Sequence, residues 1–191
     1  PSRRVPRRPT VTGHDRERRD GEAAITEGAQ DPTVTGGLHA LAAERTVIGA
    51  LRAADDLAAA VGPATSARDL RALAAAAADR DPLLAIGAIH ALAQAPASAG
   101  GALVALLESD EPWRREHAAW ASAAHAPDPA GTRRLVEMAG GGGFAGMLAQ
   151  QTLGRQVVHP GGDLRAPVVA LLRGQAAPGP RARLVETLGL D

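Results

Sequence analysis

The 191-residue chain contains no cysteine, no tyrosine and no lysine. Without cysteine there is no disulfide, no thiolate nucleophile, no cysteine-ligated metal and no thiol-linked chromophore. Aromatic residues make up only 2% of the sequence, as Trp113, Trp120 and Phe144. An interior so poor in rings has to be built from Ala, Leu, Val and Ile. Small side chains let elements approach closely, and alanine is the best helix former. Sandwiches and barrels, whose strands favour β-branched and aromatic residues, are disfavoured.

With lysine absent, all 21 basic residues are arginine. Together with abundant Ala, Gly and Pro, this indicates the coding bias of a GC-rich, actinobacterial kind of genome. Arg in place of Lys therefore carries little chemical meaning. Charge of either sign is not in excess, since the net charge is zero. Residues 1–37 hold seven Arg against six acids, and residues 38–191 hold fourteen against fifteen. A neutral body lacks the basic footprint of a nucleic-acid binder. No apolar run approaches the roughly 18 residues of a membrane helix. No secretory h-region is visible, so the expected compartment is the cytoplasm. The chain opens on Pro1 and stops on a helical pattern, ARLVETLGLD, as a segment of a longer protein would.

What is present divides at Leu38. Residues 1–37 are dominated by Pro, Gly, Thr and mixed charge, and are expected to be a disordered tail. Residues 38–191 read as short helices of three to four turns with short links. The first pair, around 38–61, ends at Gly62-Pro63. SARDLRALAAAAADR follows, then PLLAIGAIHALAQA, which ends at Pro96. Further helical stretches run to the end of the chain, and no strand pattern intervenes.

The helices repeat. DPLLAIGAIHALA slides onto EPWRREHAAWASA with an offset of 30, bringing Pro82 onto Pro112 and Ala88 onto Ala118. A further 31 residues brings in FAGMLAQQTLG, with Phe144 under Trp113 and Ala149 under Ala118. A further 35 brings in PRARLVETLG, with Leu188 under Leu153 and Arg181 under Arg115. The second helix of a hairpin thus recurs four times. The first hairpin fits loosely, as a terminal cap does.

The pattern D/E-P-x-x-R-x-x-A-x-x-A-L-G resembles the short HEAT-like repeats named after phycobilisome lyases. Asp81-Pro82, Glu111-Pro112, Arg115, Arg181, Ala88, Ala118, Ala149, Leu92, Leu153 and Gly154 match it. Ala85 and Gly146 replace its Arg, and Ser122 replaces its Leu. The likeness covers about residues 66–190. It implies an all-α fold, an α-α superhelix (HEAT-like solenoid) of about four to five helical hairpins. The phrases LLAIGAIHALAQAP, REHAAWA, GGFAGMLAQQTL and RLVETLGL further resemble a HEAT-repeat segment that precedes a glycosyltransferase domain in actinobacterial proteins. That resemblance places any sugar-nucleotide site beyond Asp191, and no catalytic residue carries over to this chain.

Aligned columns separate core from surface. Ala88, Ala118, Ala149 and Leu184 form one small or apolar column, Ala91, Ala121, Thr152 and Thr187 a second, and Leu92, Ser122, Leu153 and Leu188 a third. All three are expected in the core. The bulky column Leu83, Trp113 and Phe144 is expected to be buried between repeats. His90, Trp120, Gln151 and Glu186 form a mostly polar column, assigned to the exposed concave face. Gly87, His117, Leu148 and Arg183 form a variable one, and Gln94 and Arg155 share another. These columns fall on one helical stripe. The partner-binding candidates are therefore His90, Gln94, His117, Trp120, Gln151, Arg155, Arg183 and Glu186. Trp120 either packs half-buried against a neighbouring helix or stands exposed as an interface anchor.

The chain offers little chemistry. The histidines are scattered singly, without the convergence of a zinc site, and read as partly solvated helix residues. Glu116-His117 is unrepeated, unlike the His-Glu pairs of HEAT-like di-iron hydroxylases. No GxSxG is present, and Asp55, Asp56 and Glu108 lack the acidic partners of a catalytic pair. Gly140–Gly143 lacks the Lys-Ser/Thr of a phosphate loop and reads as a flexible turn. Arg115 is expected to tie adjacent repeats through an acid or a carbonyl. The sequence reads as a non-catalytic interaction or scaffold module, without cofactor or metal. Its partner is a protein or a downstream domain in cis, with no nucleic acid and no membrane. The alternative is a bilin-lyase-like protein that holds a tetrapyrrole non-covalently.

Overall fold

The computed structural model describes residues 33–157 and seven further helical positions between 169 and 185. The described residues contain eight α-helices and no strand. They are α1 (Val34–Ala43), α2 (Val47–Ala59), α3 (Ala67–Ala77), α4 (Pro82–Ala93), α5 (Gly100–Leu107), α6 (Pro112–Ser122), α7 (Pro129–Gly141) and α8 (Gly143–Val157). A 3-10 turn at Ala97–Ala99 leads into α5. All eight lie in the compact unit 32–191.

Five of the eight helices start where a side chain accepts from their free N–H groups. Thr33, Thr46 and Ser66 accept from the backbone N–H three residues on. Asp81 accepts from Leu83, and Asp128 from Ala130 and Gly131. Pro82, Pro112 and Pro129 occupy the first helical position, where a missing N–H costs nothing. Glu111, in the place of Asp81, makes no such bond. Its longer side chain leaves proline to set that start alone.

The helical body begins earlier than Leu38. Thr33 caps a helix whose first residue, Val34, is buried, so Val34–Gly37 belong to the body rather than to a tail. Residues 1–32 lie outside the described residues.

Consecutive helices pair: α1 with α2, α3 with α4, α5 with α6, and α7 with α8. The first helices contact in the series α1–α3–α5–α7 and the second in the series α2–α4–α6–α8. Two layers of helices are thereby stacked hairpin on hairpin, with α1 also reaching α4. The core between the layers is aliphatic. Leu57, Leu73, Leu92, Leu107 and Leu153 are wholly inaccessible, as are Ala88, Ala118 and Ala149. The three columns expected in the core lie there in α4, α6 and α8, including Ser122 and Thr152. Leu184, Thr187 and Leu188 lie outside the described residues.

Alanine is what allows this spacing. A small residue at each contact point lets neighbouring backbones close up without a void. Glycine carries the trend further at two places. A Cβ on Gly87 would meet Leu41 of α1, and one on Gly146 would stand 3.1 Å from the Met138 carbonyl oxygen. Gly146 occupies the arginine position of the repeat because the end of α7 passes directly over it.

The glycine run resolves into parts with different roles. Gly140 and Gly141 end α7, while Gly142 and Gly143 have φ of 73° and 69°. Two consecutive left-handed residues reverse the chain between α7 and α8, a conformation that glycine adopts without steric cost.

Candidate functional site

Three of the candidate residues converge. His90 lies on α4, and His117 and Trp120 lie one turn apart on α6. His90 Nε2 and His117 Nδ1 are 3.3 Å apart, a hydrogen bond in which one ring donates and the other accepts. The two ring centroids are 5.4 Å apart. The Trp120 ring lies 4.5 Å from that of His90 at 33°, a tilted stack. Trp120 remains 40% exposed. The indole is therefore packed on one side and open to solvent on the other.

Both imidazoles are half-buried, and both are held below the ordinary histidine value of 6.5. For His90 the causes are burial first, then the neighbouring His117, opposed by Asp55 of α2. For His117 the cause is burial, opposed by Glu116. Burial disfavours the charged form, and two cations at this distance disfavour each other.

Gln94, Gln151 and Arg155 are exposed on the C-cap of α4 and on α8. They take no part in the contacts of the histidine cluster. Arg183 and Glu186 lie outside the described residues. The column of Gly87, His117 and Leu148 is not an open face. Gly87 is buried beneath Leu41 and Ala54, and His117 turns toward α4. This column faces the preceding repeat, because a helix in a stacked layer has neighbours on both sides.

The aromatic column is not uniform either. Leu83 packs against the core, and Trp113 is partly buried with the Arg114 guanidinium 4.7 Å from its ring. Phe144 is 60% exposed, contrary to the burial expected of it. It sits beside the glycine reversal at the start of α8, clear of the contact that its counterparts make.

Arginine joins the repeats in an unexpected pattern. Arg115 Nη1 donates to the Ser109 and Asp110 carbonyls, at 2.6 and 3.0 Å. Its acceptors are carbonyls, as expected, but they belong to the turn of its own hairpin. The tie between repeats is made by Arg114, whose Nη2 donates to the Asp79 carbonyl of the α3–α4 turn. Arg134 Nε donates to the Leu107 carbonyl and ties α7 to α5. These guanidinium groups are engaged in holding turns and helix ends.

His125 departs from the reading of partly solvated helix histidines. It is buried just beyond the end of α6, and its ring Nε2 bonds the Leu92 carbonyl at 2.9 Å. Gln156 reaches the Ser122 carbonyl in the same way, and Thr152 the Ala119 carbonyl. Sequence reasoning left out all three of these ties. The signal was there for one pair: His125 and Gln156 are 31 residues apart, the same shift that aligns Trp113 with Phe144.

Among the described residues no three His, Asp or Glu side chains converge to hold a metal ion. No described helix is long and apolar enough to cross a membrane. A cleft of about 650 Å³ opens at the turn edge, lined by Arg80, Ser109, Asp110, Glu111, Trp113 and Arg114. It is charged with both signs. Comparison of the chain with family models, with curated proteins and with solved structures finds no match.

Proposed function

We propose that this chain is a non-catalytic helical-repeat module for protein interaction. Its contact stripe crosses α4, α6 and α8 through His90, Gln94, Trp120, Gln151 and Arg155. The observation that carries the reading is Trp120, a scarce aromatic left 40% exposed and held in place by stacking on His90. A pre-ordered indole offers large contact area with little entropy left to lose, the character of an interface hot spot. The polar residues around it supply a rim that tolerates water when no partner is bound.

The partner is a protein rather than a nucleic acid, in keeping with the balanced charge of residues 38–191. The resemblance to HEAT-like repeats that precede a glycosyltransferase makes such a domain the first partner to test, in cis or in trans. The module would then position or regulate the enzyme and contribute no catalytic group.

The test is capture with the full chain from a lysate of a GC-rich actinobacterium. A Trp120→Ala variant is run beside it, matched to wild type in helical circular dichroism and melting temperature. A protein retained by wild type and lost by the variant supports the stripe, and its sequence reports whether it carries a glycosyltransferase domain. Equal capture by both moves the interface off Trp120 and overturns the assignment.

A further inference from the structure

His90 and His117 join two repeats through a bond that counts protons. In the neutral pair, four ring nitrogens share two hydrogens, so two lone pairs remain. One lone pair is inside the bond, on whichever of His90 Nε2 and His117 Nδ1 accepts. The other belongs to the remaining nitrogen of the donor ring and faces away from the contact.

A first proton takes the outer lone pair. The bond survives and becomes charge-assisted, with an imidazolium N–H facing a neutral nitrogen. The indole of Trp120, 4.5 Å from the His90 ring, also favours a cation there. A second proton finds only the lone pair inside the bond. Its arrival leaves two N–H groups and two positive charges facing each other across 3.3 Å in a half-buried contact.

We propose that the His90–His117 pair is a proton-operated latch on Trp120, closed with no proton or one extra proton bound and opened by the second. Opening parts the rings and frees the indole from His90. It does not part the helices. Ala88, Ala91, Leu92, Ala118 and Ala121 stay buried in the core, and the His125 bond to the Leu92 carbonyl lies elsewhere on the same joint.

The charges that bear on the latch are few. Asp55, from α2, favours the cation on His90, and Glu116, on α6 itself, favours the cation on His117. The other helices packed on α4 and α6 are α1, α3, α5 and α8, and their described residues contribute no charge that shifts either ring. Burial, joined at His90 by the neighbouring His117, therefore outweighs the two carboxylates, and both rings sit below 6.5.

The experiment uses the full chain without any partner, so its outcome is independent of the interaction reading. Histidine side-chain nitrogens are followed by NMR from about pH 7.5 to about pH 4.5. Trp120 emission is followed in parallel in a Trp113→Phe background, with circular dichroism as the control on helix content. The expected result is two separated steps shared by the two rings, with the red shift of Trp120 on the second step and helix content unchanged. His117→Gln retains an amide for His90 to bond but cannot take the second charge, and the red shift is expected to vanish in it. A red shift on the first step, or one that persists in a folded His117→Gln protein, overturns the latch. Where that variant loses helix content, the wild-type NMR decides: two independent, unseparated titrations overturn the proposal.

Discussion

The ring Nε2 of His125 meets the Leu92 carbonyl at 2.9 Å, and one repeat later Gln156 Nε2 donates to the Ser122 carbonyl at the same distance. The two contacts are equivalent. Leu92 and Ser122 occupy matching positions near the ends of α4 and α6, where each carbonyl accepts a backbone N–H only from the tight turn that follows, from Ala95 and His125, and has room for a second donor. A side chain from the next repeat reaches back to each of them. Two residue types perform one task because each offers an N–H on a short planar arm.

That equivalence predicts the outcome of substitution at His125. His125→Gln should keep the tie and cost less than about 1 kcal/mol. His125→Ala loses the bond and leaves a gap where a buried ring packed, at about 1–3 kcal/mol. The Leu92 carbonyl also accepts from the Ala95 N–H at 3.1 Å, so it is not fully orphaned and the cost stays in that range. Melting temperatures of the two variants provide the comparison. Equal loss in both would show that ring packing, and not the bond, holds this joint.

The glycines predict opposite signs at nearby positions. Gly140 is helical, and a Cβ there would meet nothing within 4 Å. Gly140→Ala should stabilise by about 0.4–1 kcal/mol, chiefly by restricting the unfolded chain. Gly146→Ala puts a methyl 3.1 Å from the Met138 carbonyl oxygen and 3.5 Å from that of Ala139. Backbone cannot swing aside as a side chain can, so the start of α8 has to shift, at about 1–3 kcal/mol. Denaturant midpoints with unchanged slopes would confirm both signs.

Much of the architecture is legible in the sequence because its determinants are local. Asp81-Pro82 and Asp128-Pro129 mark helix starts through a cap and a preset φ. The Ala88, Ala118, Ala149 column marks the core because only a small residue fits where two layers meet. The site is less legible for a geometric reason. His90 and His117 are 27 residues apart, whereas the repeat offset between their helices is 30. Neighbouring helices touch along a diagonal, one turn off register, so aligned columns do not show which side chains meet. Phe144 is obscured for a related reason: a bulky column records residue type, while burial depends on what lies opposite. His125 fills its column with chemistry unlike that of Ala95 before it, so only the contact reveals the shared role with Gln156.

Phe144 separates those two quantities experimentally. At 60% exposure, Phe144→Ser should change stability by no more than about 0.5 kcal/mol. Leu153, nine residues along the same helix, is wholly inaccessible. Leu153→Ala should cost about 2–5 kcal/mol from lost transfer energy and the cavity left behind. Urea unfolding of the two variants tests the contrast. A large loss at Phe144 would mean that its ring is covered in solution.

The pH dependence of stability follows from the sign of the histidine shifts. In the unfolded chain both rings take protons near 6.5, and in the folded chain below it. Acidification therefore protonates the unfolded state first. Above 6.5 both states hold neutral rings and the contribution is fully present. As the pH falls from 6.5 toward the folded values, the unfolded state binds more protons and stability drops. Below the folded values the loss is complete and levels off. Denaturant melts from about pH 7.5 to about pH 5 should show the midpoint falling on the acid side. In a His90→Gln, His117→Gln double variant the fall should shrink, because amides carry no proton to exchange. The residual slope measures the carboxylates and the remaining histidines. A slope undiminished in the double variant would place the acid sensitivity on those groups instead of on the joint.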